Sequence, residues 1–459
     1  MTPLLRVENL KISSSDQTLL EPISFDVFPN QPLTILGETG AGKSLIAAAI
    51  TGTLPPELTQ QGQIHFKQDK LSKSNRHAKW GKEIALLPQE PWLALDPIMP
   101  ILQQVAEVHQ LVNQHKRPAA QSIATNELYN VSLSRDIAKY PFEISGGMAQ
   151  RVAYLCATQA GGELLLADEP TKGLDSYHRD VIASQLLEHV KSGALITITH
   201  DINLAETLGG NIIVMKNGIV EESGVASEVL SSPQSYYTQK LIQATPKHWR
   251  KRESHPTHLP LLTVDNVSLS RSDNVLFSDL SFTLHQREIL GIAGPSGCGK
   301  TSLADTLLGL VSPDLGDIHW HQNVNKGQKL KLYQDPPSAH PHDVSLQQLL
   351  DELCQRHCLN KSEIPELLKR LKLTSEVLKR SANDVSGGEL QRFAILRALM
   401  MKPKLLIADE PTSRLDPITS AETLKLLVES IDESQCALII IGHDEVALEK
   451  LCDKVIRFG

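Results

Sequence analysis

The chain has 459 residues, 41% of them apolar and 21% charged, with a formal net charge of −8. That length allows two or three domains with ample cores, and the composition is that of an ordinary globular protein with no electrostatic reason to expect nucleic acid as a partner. No apolar run approaches the roughly 18 residues of a spanning helix and the N-terminus lacks a basic region before a long apolar stretch, so a cytoplasmic protein with its six cysteines reduced is expected.

In chain order, alternating patterns predict strands at Leu5 to Ile12 and Leu19 to Val27, and an apolar run predicts a buried strand at Pro32 to Leu36. Gly37-Glu38-Thr39-Gly40-Ala41-Gly42-Lys43-Ser44 follows, and then the apolar-periodic segment Leu45 to Ile50. A strand, a glycine-rich turn and a helix start make a phosphate-binding loop. The glycines let backbone N–H groups face an anion, and the helix N-terminus adds its positive dipole end. Lys43 would reach the β and γ phosphates of a nucleotide, and the Ser44 hydroxyl would ligate Mg²⁺. Further on, the apolar strand Leu164 to Ala167 ends in Asp168-Glu169, and Ala194 to Thr199 ends in His200. A strand buried on both faces brings its carboxyl end to the ligand crevice, so Asp168 would hold Mg²⁺ and Glu169 would polarise the attacking water.

The same order then repeats. Strands are predicted at Leu262 to Leu269 and Val275 to Leu284, and the strand from Glu288 to Ala293 runs into Gly294-Pro295-Ser296-Gly297-Cys298-Gly299-Lys300-Thr301 and a helical segment from Leu303 to Leu310. Leu405 to Ala408 ends in Asp409-Glu410, and Ala437 to Ile441 leads to His443. Ser145 and Ser386 each open a Ser-Gly-Gly run 23 residues before its Asp. The copies are offset by 257 at the two lysines but by 241 at the two serines, so the second has lost segments in between. Between the copies, Pro246 to His258 is polar, basic and broken by prolines, which predicts a solvated linker. Its three histidines lack a defined spacing for a metal site, and the Cys354, His357, Cys358 cluster has no second ligand pair and reads as a helix face.

The ordered set resembles the ATP-binding cassette (ABC) family over nearly the whole chain. Ser145-Gly146-Gly147 and Ser386-Gly387-Gly388 are similar to its signature sequence, and Asp175 and Asp416 to its interface loop. Gln89 and Gln334 resemble the loop touching Mg²⁺ and the transmembrane partner, and His200 and His443 resemble the switch histidines. The resemblance implies an α/β fold of two tandem P-loop NTPase domains. Each would be a mostly parallel sheet flanked by helices, with an antiparallel β portion and a helical part bearing the signature. The boundaries read as residues 1–245 and 261–459 around a linker at 246–260. The resemblance also implies that the two cassettes pair within the chain and sandwich two ATP molecules head to tail. Lys43, Ser44, Gln89, Asp168, Glu169 and His200 would then work with Ser386, Gly387 and Gly388. Lys300, Thr301, Gln334, Asp409, Glu410 and His443 would work with Ser145, Gly146 and Gly147. One departure concerns adenine, because Ser14 and Arg271 stand where the family commonly places an aromatic residue.

Glu90 to Met99 and the Pro233 to Thr238 run are similar to ATPases of peptide and nickel importers, and the second copy resembles the second ATPase of such systems. The expectation is a fused ATPase subunit on the cytoplasmic side of the inner membrane, served by two transmembrane permease subunits and an extracytoplasmic substrate-binding protein. ATP and Mg²⁺ would be its cofactors, with peptides as cargo, and nickel or another chelated metal next. The second copy stops at Gly459 and is expected to lack the tail that the first carries from Ile219 to Thr245. A soluble twin-cassette ATPase of translation, repair or phosphonate metabolism is the alternative, and an exporter ATPase a third.

Overall fold

The computed structural model describes all residues except 1, 73–74, 160, 175, 254–256, 272–273, 296, 334–340, 342–343, 414, 433, 435 and 459. The predicted residues Asp175, Ser296 and Gln334 therefore lie outside the described residues. The chain divides into two compact units, Met1–Ile242 and Gln243–Gly459.

In the first unit, strands β1 (Leu5–Ser13), β2 (Thr18–Val27), β4 (Thr59–Phe66) and β5 (Asp69–Lys70) form an antiparallel sheet in the order β2-β1-β4-β5. A second sheet takes β3 (Pro32–Gly37), β6 (Ile84–Leu87), β7 (Leu164–Asp168), β8 (Ala194–Thr199), β9 (Asn211–Lys216) and β10 (Ile219–Val225) in the order β10-β9-β3-β8-β7-β6. All its neighbours are parallel except β9 and β10, which form a hairpin through Asn217 and Gly218.

Period-two alternation in fully apolar strands explains why this sheet is buried on both sides. Leu164 and Leu166 of β7 pack with the antiparallel sheet and the helix Lys43–Thr51, whereas Leu165 and Ala167 face the helical part built on Ile101–Leu111, Arg117–Asn130 and Gly146–Thr158. Two cores, one on each face, hold the site strands.

The second unit repeats the plan. Strands β11 (Pro260–Arg271), β12 (Asn274–His285) and β14 (Leu315–Trp320) are antiparallel in the order β12-β11-β14. β13 (Ile289–Ala293), β15 (Lys329–Leu332), β16 (Leu405–Asp409), β17 (Ala437–Gly442) and β18 (Lys454–Arg457) form a parallel sheet in the order β15-β16-β17-β13-β18. Leu405 and Ile407 face one core, Leu406 and Ala408 the other.

The predicted solvated linker is corrected over part of its length. Trp249 is only 6% exposed, in the same core as Leu448 and Leu451, and its Nε1 donates to Ala244 O at 3.1 Å. Arg252 Nε donates to Asp432 Oδ2 at 3.0 Å, its Nη1 to Asp453 Oδ1 at 2.5 Å, and its backbone N–H to Lys450 O at 2.8 Å. A polar, proline-broken composition concealed one large apolar side chain and one guanidinium with two carboxylates waiting. The segment is a strap moored on the second unit.

Candidate functional site: two phosphate-loop centres

The strand order places three strand ends side by side in each unit. β8 lies between the phosphate-loop strand β3 and the Asp-Glu strand β7, and β17 lies likewise between β13 and β16. Lys43, Asp168, Glu169 and His200 are thereby brought to one end of the sheet, as are Lys300, Asp409, Glu410 and His443.

The loops have the backbone the glycines were expected to allow. Gly40 and Gly42 have φ of 84° and 87°, and Gly297 and Gly299 have 82° and 98°, the region in which a Cβ is strained. Gly37 is required for a different reason, since a Cβ there would lie 2.2 Å from Met215 O of β9. Gly42 and Gly299 cap the helices Lys43–Thr51 and Lys300–Leu307. Lys43 Nζ donates to Gly37 O and Glu38 O, both at 2.8 Å, and Lys300 Nζ donates to Gly294 O and Pro295 O at the same distance. Both lysines are 5% exposed, while Thr39, Ser44 and Thr301 are exposed at the loop mouths.

In the first unit, Glu169 is held in a left-handed conformation (φ 49°) by its N–H donating to Ile198 O at 2.8 Å. Its Oε2 lies 2.8 Å from His200 Nδ1 and accepts from Thr199 Oγ1 at 3.3 Å, and its Oε1 lies 3.8 Å from Lys43 Nζ. Burial pushes this carboxyl up, but the His200 ring and the Lys43 ammonium outweigh it and hold the group below the ordinary carboxylate range. Asp168 differs: burial, aided by Glu169, raises its carboxyl against the pull of the Ser44 hydroxyl and Lys43. Asp168 Oδ1 is buried without a hydrogen-bond partner. An orphaned carboxylate oxygen beside a serine hydroxyl is an oxygen donor set suited to Mg²⁺.

In the second unit, Glu410 has φ of 46°, its N–H donates to Ile441 O at 3.0 Å, and His443 Nε2 lies 2.5 Å from its Oε1. Asp409 is not matched to Asp168. Its Oδ2 lies 3.1 Å from the Nζ of Lys331, a strand residue that sequence reasoning passed over.

The signature serines cap the helices Gly146–Thr158 and Gly387–Met400. Ser145 Oγ accepts from Met148 N at 3.4 Å and Ser386 Oγ from Glu389 N at 3.2 Å. Glu389 also accepts from the Ser386 N–H and hydroxyl at 2.8 and 2.9 Å. Ser145, Gly146, Ser386 and Gly387 are exposed, with Gly147 partly covered and Gly388 buried. Gln89 is half-buried after β6, and Asp416 caps Pro417–Asp432 by accepting from Ile418 N and Thr419 N. Ser14 is committed to its own turn, accepting from Asp16 N and Gln17 N. Of the apolar residues after Gln89, Leu95 is core, whereas Trp92 is 42% and Ile98 83% exposed.

Tyr237, in the helix Tyr236–Ala244, was noted in the sequence only as part of the Pro233 to Thr238 run and without a site role. Its Oη accepts from Glu38 N at 2.9 Å, so a tail residue braces the first phosphate loop from 199 positions away. Gly218 N, at the tip of the β9–β10 hairpin, also donates to Ala41 O at 3.2 Å. Tyr237→Phe is expected to weaken nucleotide binding at the first site by about threefold to tenfold, the worth of one hydrogen bond. Titration of a fluorescent nucleotide into a chain carrying Lys300→Ala measures it, and an unchanged affinity would remove the bracing role.

A family model described as ABC transporter matches residues 20–172 and 277–413. The chain is 32% identical to the "Uncharacterized ABC transporter ATP-binding protein YejF" of Escherichia coli (strain K12), covering 99% of this chain and 93% of that one. It is 28% identical to the "Peptidoglycan transport ATP-binding protein YejF" of Agrobacterium fabrum (99% and 90% covered) and 29% identical to the "Glutathione import ATP-binding protein GsiA" of Pectobacterium atrosepticum (98% and 84%). Among solved structures, "RNase-L Inhibitor" superposes with a TM-score of 0.71 over 98% of this chain and 87% of its own at 19% identity, a likeness of fold alone.

Proposed function

The chain belongs to the ABC transporter family and is an ATP-binding, ATP-hydrolysing subunit, and from that premise we propose that it is the fused ATPase pair of an importer of peptides or peptide-derived molecules. The observation that carries the cargo class is that relatives named for glutathione import and peptidoglycan transport each span at least 98% of it. The chain would sit at the cytoplasmic face of the inner membrane, and its partners are two transmembrane permease subunits and an extracytoplasmic binding protein. Trp92 and Ile98, exposed just beyond Gln89, supply apolar anchors for a permease helix.

At each centre the phosphate-loop amides and the lysine hold the phosphates, and the lysine exchanges its carbonyl partners for them. Glu169 and Glu410 orient and deprotonate the attacking water, with His200 and His443 positioning each carboxylate. Ser44, Gln89 and Asp168, and Thr301, Gln334 and Asp409, would hold Mg²⁺, which neutralises phosphate charge. Ser386 and its glycines would complete the first centre and Ser145 and its glycines the second, a role open to the exposed hydroxyls of the two serines. Ser386→Arg should therefore impair turnover at the first centre and Ser145→Arg at the second. Loss of nucleotide at the changed cassette's own loop would refute that pairing.

The reading is tested by affinity purification of the chain from gently solubilised native membranes, followed by mass spectrometry. Two polytopic permeases are expected. Ribosomes or repair proteins in their place would favour a soluble twin-cassette ATPase.

A further inference from the structure

We propose that Lys331 supplies the metal position of the second cassette with a built-in cation, so that the two ATP sites differ in their need for Mg²⁺. The inference rests on the ATPase reading and adds an inequality that the shared motifs conceal.

The registers make the comparison exact in position. Leu332 pairs with Ala408 just as Leu87 pairs with Ala167, so Lys331 occupies the place of Leu86. Leu86 is 37% exposed, whereas the Lys331 side chain is 5% exposed. Its Nζ lies 3.1 Å from Asp409 Oδ2 and 2.9 Å from Asp305 Oδ1, with the Tyr333 ring centroid at 5.4 Å. Asp305 is itself a departure. It stands five residues after Lys300, where the first copy has Ala48 five residues after Lys43. The second cassette has thus replaced an apolar pair, Leu86 and Ala48, with an ion pair, and has tied that pair to the carboxylate that would hold the metal.

A buried ammonium is tolerated only where carboxylates offset its desolvation, and here there are two. Lys331 and Asp305 cancel in charge, so the sites differ in whether the metal-site carboxylate is already engaged. At the first, Asp168 presents an unpartnered oxygen to an incoming divalent ion. At the second, a divalent ion must approach a carboxylate whose Oδ2 already holds an ammonium at 3.1 Å, and the two positive charges repel in a medium of reduced dielectric. Nucleotide therefore binds the second cassette with little dependence on Mg²⁺, and that cassette recruits the ion only weakly. Glu410 and His443 are kept, so the site is altered in metal use while its water-activating pair stays intact.

The test uses the full-length chain with one site silenced at a time, Lys300→Ala leaving the first and Lys43→Ala leaving the second. A fluorescent, non-hydrolysable ATP analogue is titrated in Mg²⁺ and in EDTA. Removing Mg²⁺ should weaken binding at the first site by about tenfold or more and at the second by less than about threefold. Spectroscopic titration with Mn²⁺ should count one tightly held ion per nucleotide in the first chain and only weak binding in the second. The paired change Lys331→Leu, Asp305→Ala, which gives the second cassette the residues of the first, should bring the second site to the first's dependence. Equal dependence in the two single-site chains would overturn the inference without any change at Lys331, so misfolding of the paired variant cannot decide it. An unchanged second site in a folded paired variant would also overturn it. Failure of both single-site chains to bind nucleotide would instead count against the ATPase reading.

Discussion

Glu169→Gln combined with Glu410→Gln is expected to lower steady-state ATP hydrolysis by at least about 100-fold while nucleotide stays bound. The amide keeps the shape of the side chain but removes the proton acceptor. Each glutamate is fixed by more than its position after the aspartate. Its N–H is bonded to the strand that carries the histidine, its backbone is held at a φ near 50°, and its carboxylate touches that histidine. Such a conformation costs of order 1 kcal/mol or more in a residue with a side chain, so it persists because the surrounding sheet enforces it. Phosphate release and retention of labelled nucleotide measure the two halves of the expectation. Turnover near that of the unchanged protein would remove both glutamates from the base role. A pH signature accompanies it at the first centre. The Glu169 carboxyl is held below its ordinary range, so its pairing contributes stability that is present above that range and lost as the pH falls through the lowered value. The gap in unfolding midpoint between unchanged and Glu169→Gln protein, both free of nucleotide, should therefore close on acidification.

Trp249→Ala is expected to destabilise the second unit by about 3–5 kcal/mol, the usual cost of emptying a buried aromatic site. Trp249 lies within the core that also holds Leu448 and Leu451, its indole N–H is satisfied by Ala244 O, and Lys425 Nζ lies 5.5 Å from its ring centroid. Removing the side chain leaves a cavity against the helix Glu445–Leu451 and loosens the approach to Arg252, whose guanidinium ties Asp432 to Asp453. Urea unfolding followed by a probe in the second unit measures the loss. An unchanged midpoint would mean that the strap adds nothing to folding.

How much of this was legible in the sequence depends on whether the chemistry is contiguous in the chain. The phosphate loops, the Asp-Glu strand ends and the histidines are short runs whose spacing carries their meaning, and the structure places each described member at one end of its sheet. The buried strands were legible because a strand covered on both faces has no polar positions to spare. Tyr237 was not, since its partner Glu38 is 199 residues away and a tyrosine in a helix is usually core. Lys331 was missed because Lys329-Leu330-Lys331-Leu332 reads as an alternating strand with one face in solvent. Only the pairing of β15 with β16 turns Lys331 toward Asp409. Trp249 was lost in a segment whose overall polarity argued for solvent.

The lysines of the two phosphate loops each donate to two carbonyls of their own loop. Nucleotide capture is then an exchange of partners on a finished scaffold, in which the anion takes over an ammonium that the backbone had been keeping in place. Little ordering entropy remains to be spent at that step.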